Sequence, residues 1–191
     1  MKSRFKKEER YNQLLDLAIE IVRDQGTDAL TLISLAKKAG VTKPITYNHF
    51  SNRQLLLFSL YRRCDEALSS QMDHLITNQS NNLKDAVTVY VSSYINCIET
   101  NGKLYDDIVS ALKAYPEYAS VENDIRDYYC HVIEKTFSPF VVPDGYKLTK
   151  LKLISIFSIT ESLGSYLKEN PQNKDELIDE AVKIILSICN R

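Results

Sequence analysis

The sequence predicts an all-α fold of about nine helices, and three observations carry that expectation. Apolar residues recur at three- and four-residue spacing along nearly the whole chain, only five glycines and five prolines interrupt them, and no stretch requires a strand. Apolar residues at 44% and charged ones at 26% belong to a globular chain with ample core material.

Each element has its own local signal. Leu14, Leu15, Ala18, Ile19 and Val22 form one stripe closed by Gly26, which predicts a first helix over 7–25. Thr31 caps a short second helix carrying Leu32, Leu35, Ala36 and Ala39, and Gly40 ends it. Thr42 caps a third helix that has Pro44 in its first turn, where the missing N–H costs nothing, and runs to Phe50. Ser51 and Asn52 open a long fourth helix that extends to a polar stretch over 77–82. Further helices are expected at about 83–100, 103–114, 118–137, 148–169 and 174–190, broken by Asn101-Gly102, Pro116, Pro139, Pro143-Asp-Gly145 and Pro171.

The chain's net charge of −1 is unevenly spread. Residues 1–63 carry +6, whereas residues 64–191 carry −7. A basic front and an acidic rear suggest a polyanion-binding module joined to one that is not, although charge runs are usually just solvated faces. No apolar run approaches membrane-spanning length and no secretory signal is present, so a cytoplasmic protein is expected. Cys64, Cys97, Cys130 and Cys189 lie far apart, which predicts reduced thiols and neither a metal site nor a cofactor. An enzyme is the least favoured class, because no Ser-His-Asp, Cys-His or metal cluster supplies a catalytic residue.

Residues 31–50 hold the most specific pattern: two short helices joined through Gly40, with small Ala36 permitting close crossing. Leu32, Leu35, Val41 and Phe50 would bury the pair, leaving the polar face of 42–49 outward and suited to a major groove. The run Ala36-Lys-Lys-Ala39-Gly40-Val41-Thr42-Lys43-Pro44-Ile45-Thr46-Tyr47-Asn48-His49-Phe50 resembles the tetracycline repressor (TetR) family signature, as do Gly26 with Ala29-Leu30-Thr31 and the segment Asn52–Leu56. The resemblance implies an N-terminal helix-turn-helix DNA-binding domain, 1–53, and a C-terminal helical ligand-binding and dimerisation domain, 54–191.

It further implies that Thr31, Thr42, Tyr47, His49 and Arg53 hold phosphates, while Lys43, Pro44, Ile45 and Tyr47 face base edges. The chemistry agrees, since lysine can donate to guanine and apolar surface suits a thymine methyl. Thr46 replaces the family's usual leucine or valine and either packs less well or turns toward DNA. Lys2, Arg4, Lys6, Lys7 and Arg10 form either a basic arm on the duplex or a frayed, solvated tail.

Beyond residue 63 the tyrosines are the main signal, because each combines an apolar ring with a polar tip. A ligand pocket is expected from Tyr90, Tyr94, Ile108, Tyr128, His131, Phe157 and Glu161, with core packing the plain alternative for most. A homodimer is expected through Leu151, Ile154, Ser158 and Ser162 on one late helix and Ile178, Ala181, Val182, Ile185 and Ile188 on the last. The functional expectation is a ligand-responsive repressor bound to a near-palindromic operator, with an unidentified small-molecule effector. An architectural or adaptor protein on the same fold, without an effector, is the alternative.

Overall fold

A computed structural model describes residues 2–79, 81–141 and 147–189. Its α-helices are α1 (Lys2–Gln25), α2 (Leu32–Lys38), α3 (Lys43–His49), α4 (Arg53–Gln79), α5 (Leu83–Lys113), α6 (Val121–Val141), α7 (Lys150–Glu169) and α8 (Lys174–Cys189). Among the described residues there is no strand, and no helix is long and apolar enough to cross a membrane. The expected Pro143–Gly145 turn lies outside the described residues.

Among the described residues eight α-helices stand in place of the expected nine, because the break at Asn101-Gly102 does not occur and α5 runs through it. Gly102 instead serves close packing: a Cβ there would meet Ile98 Cγ2 at 3.1 Å and Lys168 Cε at 3.3 Å. Gly164 on α7 is still tighter, with Tyr94 Cε1 3.3 Å from the position of an added Cβ and Ile98 nearer still. Both glycines thus let helices approach rather than bend. Helix α1 begins at Lys2, so Lys6, Lys7 and Arg10 project from a helix and not from an extended arm.

The chain divides into two compact units, Met1–Glu66 with Lys103–Val121, and Ala67–Gly102 with Glu122–Arg191. This grouping differs from a single cut after residue 53, because residues 103–121 return to the first unit. In that unit Leu14, Leu15, Ala18, Ile21 and Val22 of α1 are buried, as are Leu32, Leu35 and Ala36 of α2 and Leu56, Leu57 and Leu60 of α4. Ile21 takes the inward place expected of Ile19, which is only half-buried.

Three of the tyrosines beyond residue 63 belong to this same unit. Tyr118 stacks on Phe58 at 5.1 Å, Tyr105 lies 5.9 Å from Tyr61, and the Tyr115 hydroxyl meets Arg53.

Asp65 is the buried carboxylate of the first unit, 4% exposed, and its Oδ1 accepts no hydrogen bond. Burial raises its pKa to about 6, opposed by Arg62, assisted by Glu66 and opposed by a hydrogen bond from Tyr61. A folded-state pKa above the unfolded value means that the folded protein binds the proton more tightly. Stability therefore falls as pH rises through about 4 to 6. Asp65→Asn is expected to stabilise the fold at pH 8 by on the order of 1 kcal/mol after solvent screening, read as a raised melting temperature. That gain should shrink below pH 6 and vanish near pH 4; a pH-independent difference in thermal melts would contradict it.

The second unit has an aromatic interior. Tyr129 stacks on Phe157 at 5.0 Å and 13°, Tyr94 meets both rings edge-on, and Tyr90 meets Phe137 edge-on at 5.7 Å. Helix α7 buries Leu153, Ile156, Phe157 and Thr160, and α8 buries Ile178, Ala181, Val182 and Ile185. The two helices pack together, and Lys152 donates to the Ile188 carbonyl at the C-terminal end of α8, a favourable place for a cation.

Candidate nucleic-acid interface

The reading head is assembled from short-range signals. Thr31 is extended (φ −128°, ψ 160°), and its hydroxyl accepts from Ser34 N at 3.0 Å while the Ser34 hydroxyl accepts from Thr31 N at 2.9 Å. This reciprocal box caps α2. Gly40 takes φ +63°, a left-handed turn that a side chain would strain, and Val41 N closes it onto the Ala36 carbonyl at 3.0 Å. Helix α3 then begins after Thr42 with Pro44 in its first turn.

On α3 the periodicity sorts inward from outward. Thr46 is fully buried, as is Phe50 one turn later, whereas Lys43, Pro44, Tyr47 and Asn48 are exposed and share the opposite face. Tyr47 is 48% exposed, a high value for so large a ring without a partner surface. Thr42 makes no capping bond with its side chain, which leaves its hydroxyl outward. Ile45 and His49 are half-buried. Burial, then Lys7, then Arg10 hold the His49 imidazole below its usual range, so it is neutral near pH 7 and retains an N–H to donate.

One expected contact is corrected, and another is engaged within the unit. Thr46 cannot face DNA, because it is 0% exposed and its hydroxyl lies 3.0 Å from the Leu32 carbonyl and 2.9 Å from that of Lys43. It pins the recognition helix to α2, which explains how a hydroxyl replaces an aliphatic residue there. Arg53 is likewise engaged internally. Its Nε donates to Leu30 O at 2.9 Å, Nη2 to Thr27 O at 2.7 Å and Nη1 to the Tyr115 hydroxyl at 2.8 Å. Thr31 is exposed, with its hydroxyl used in the cap.

Asn48 and Ile33 were not anticipated. Both are exposed, Ile33 at 50%, and an outward asparagine on a recognition helix can bond adenine bidentately. The polar position between Tyr47 and His49 was the available signal for Asn48. Of the basic residues on α2, Lys37 is exposed, while Lys38 pairs with Glu20 at 3.0 Å and Asp24 at 3.7 Å.

The residues expected to line a ligand pocket are dispersed. Tyr90, Tyr94 and Phe157 lie in the aromatic interior and Tyr128 adjoins Tyr129. Ile108 belongs to the first unit, and His131 and Glu161 are exposed on α6 and α7. Charged and imidazole side chains reach water there instead of bearing the cost of burial. Partial burial and then Glu122 raise the Glu161 carboxyl above its ordinary range. Tyr129, Phe137 and Thr160 are interior residues that sequence reasoning missed. The Tyr90 hydroxyl is wholly buried, which pushes the phenol up, with Thr160 beside it partly opposing.

The expected dimer stripe on α8 is also corrected. Ile178, Ala181, Val182 and Ile185 bury in their own unit. Leu151, Ser158 and Ser162 of α7 are exposed, Ile154 and Ile188 are half-buried, and the outward apolar residue of α8 is Ile184, 44% exposed.

A short helix presenting Lys43, Tyr47 and Asn48, set against a capped partner through a left-handed glycine turn, defines a helix-turn-helix protein of the nucleic-acid-binding class. Residues 14–60 match the family described as bacterial regulatory proteins, tetR family. It is 33% identical over 104 residues to the HTH-type transcriptional activator FasR of Mycolicibacterium smegmatis, covering 54% of this chain and 47% of the relative. It is 27% identical over 82 residues to the fatty acid metabolism regulator protein of Bacillus subtilis, covering 43% and 39%. The matched segments thus span less than half the length of these curated relatives.

Likeness in fold extends further. The fatty acid degradation regulator FadR of Bacillus halodurans superposes with a TM-score of 0.71 at 17% identity, over 92% of this chain and 94% of the other. FadR of Bacillus subtilis in complex with stearoyl-CoA superposes with a TM-score of 0.68 at 20% identity, over 94% and 98%.

Proposed function

We propose that the protein is a cytoplasmic, homodimeric repressor that places two copies of α3 in successive major grooves of a near-palindromic operator and is released by a small-molecule effector. The observation that carries this reading is the outward set Lys43, Pro44, Tyr47 and Asn48 over an inward anchor at Thr46. Lys43 and Asn48 supply donors for base edges, Pro44 and Ile45 apolar surface for a thymine methyl, and Thr42, Tyr47 and His49 donors for phosphates.

One such helix offers too few contacts for specific binding, which favours a dimer. Leu151, Ser155, Ser158 and Ser162 follow one another at helical spacing on α7, and Ile184 and Ile188 do so on α8. Small serines beside exposed aliphatic residues suit a four-helix bundle across a two-fold axis.

The effector reading draws on the relatives named for fatty acid metabolism and on the apolar aromatic interior around Tyr94, Tyr129 and Phe157. A long-chain fatty acyl compound is the effector class we favour. Selecting duplexes from a random-sequence library with the full chain tests the reading: the enriched sites should be two-fold symmetric, with half-site centres about one helical turn apart or a multiple of it. Enrichment of no sequence, or of asymmetric single sites, would overturn it. Stearoyl-CoA added to the complex should release the duplex; indifference to an acyl-CoA series would favour an architectural or adaptor role.

A further inference from the structure

We infer that Arg53 and Tyr115 are positioning residues that clamp the turn before α2, and that Arg53 does not bind phosphate. The inference rests on the reading of α3 as a DNA-reading helix and assigns it a support that lies outside the helix-turn-helix.

The geometry is that of a three-way staple. Arg53 stands at the start of α4, and its guanidinium bridges two carbonyls of the 26–30 turn and a hydroxyl from 62 positions along the chain, all between 2.7 and 2.9 Å. Asp28 lies 4.0 Å away and adds a weak ionic contact. A planar fork with fixed donors can hold three acceptors at once, which a lysine ammonium on a flexible stem cannot reproduce. The side chain is 28% exposed, yet three of its donor directions are spent inside the unit.

The clamp lies at one end of a continuous bonded path. Leu30 O, which Arg53 holds, immediately precedes the Thr31 cap, and the Ser34 hydroxyl that completes the cap also contacts Ala29 O at 2.7 Å. Leu32, the first residue of α2, accepts from Thr46 of α3. Tyr115 thus acts through Arg53: it orients the group that sets the entry to α2, which in turn holds α3. Phe58 stacked on Tyr118 fastens the same stretch, 115–118, to α4 a little further along.

The clamp and a phosphate contact predict different salt dependences. Each lost phosphate contact lowers the slope of log K against log salt by about 0.9, whereas a misplaced reading head weakens specific binding with the slope unchanged. Wild type, Tyr115→Phe, Arg53→Lys and Arg53→Met are titrated, as folded fractions, against a duplex selected by the wild type and against a scrambled duplex. We expect Tyr115→Phe to weaken selected-duplex binding about tenfold with little change on the scrambled one. Arg53→Lys should be as defective as Arg53→Met. The salt slope should hold throughout, and Tyr115→Phe should add nothing in the Arg53→Met background.

A slope reduced by about 0.9 per half-site in Arg53→Met, with binding retained in Arg53→Lys and Tyr115→Phe, would overturn the clamp, as would wild-type affinity in Tyr115→Phe. If the wild type selects no duplex, the DNA-reading assignment itself fails. Hydrogen exchange then decides the clamp alone: faster exchange at the Leu30 and Ser34 amides in Tyr115→Phe upholds it and unchanged exchange overturns it.

Discussion

Lys43→Ala and Tyr47→Ala are each expected to abolish recognition of the operator while leaving fold and dimer intact. Neither residue contributes to the core: Lys43 is exposed at the first position of α3, and Tyr47 is 48% exposed one turn later on the same face. Removing them should cost the folded state less than about 0.5 kcal/mol, as is usual for surface positions without a structural partner.

The cost to binding is much larger, because a good contact to a base edge is worth about 1–3 kcal/mol. Each substitution also occurs twice in a dimer, so about 2–6 kcal/mol is lost, from tens-fold to more than ten-thousand-fold in affinity. The two variants should differ in kind. Tyr47 as a phosphate donor carries no charge and leaves the salt slope near that of the wild type. Lys43 contacting only a base also leaves it, and a Lys43 on phosphate lowers it by about 1 per half-site. Gel-shift titration with thermal melts checks this, and retained affinity for the selected duplex in either variant would remove that residue from the reading head.

The second large effect concerns the partner-facing surface. Leu151→Glu combined with Ile184→Glu is expected to yield a monomer that melts near the wild-type temperature and binds the operator only as weakly as a single head can. Leu151 is 73% exposed and Ile184 44% exposed, so a carboxylate at either position remains solvated in the isolated chain. At a two-fold interface the same pair would bury four charges among serines and aliphatic side chains, at several kcal/mol each without a counter-ion.

Sedimentation velocity should therefore show a loss of dimer. Operator affinity should fall toward that of one half-site, by orders of magnitude, since the second head no longer benefits from a high effective concentration. A variant that stays dimeric would place the interface elsewhere. As a control, Ile185→Ala on the inward face of α8 should lower the melting temperature at the cost of a buried aliphatic, about 2–5 kcal/mol, without dissociating the dimer directly. Ile185 is 0% exposed.

These two sites were unequally legible in the sequence. The reading head is built from contacts among neighbours in sequence, and each has a one-residue signature: a threonine that caps, a glycine at positive φ, a proline in a first turn. Gly26 at φ +81° and Gly40 at φ +63° stand where the helix stops were expected. The α8 stripe expected to face a second copy turns inward. Periodicity reports that a helix has an apolar stripe, but an amphipathic stripe is satisfied equally by the helix's own unit and by a second copy. Ile178, Ala181, Val182 and Ile185 went to the nearer partner, α7 and its neighbours, leaving Ile184 and Leu151 outside.

The same limit explains the helix that was cut in two. Asn101-Gly102 has the propensities of a stop, worth about 1 kcal/mol against the helix, and packing overrides it. Gly102 is where Ile98 and the Lys168 stem come within about 3 Å of an added Cβ, so the residue that disfavours a helix locally is the one the packed helix needs.

By itself the sequence determined the all-α class, the order and caps of the first helices, and the helix-turn-helix signature, because these rest on spacings of three or four residues and on backbone angles that single residue types impose. Only the tertiary structure decided what Thr46, Arg53 and Tyr115 do. Thr46 reaches a carbonyl 14 positions away, and Arg53 a hydroxyl 62 positions away. A polar side chain's role is set by which acceptor lies within about 3 Å once the chain has folded, and no local spacing encodes that distance.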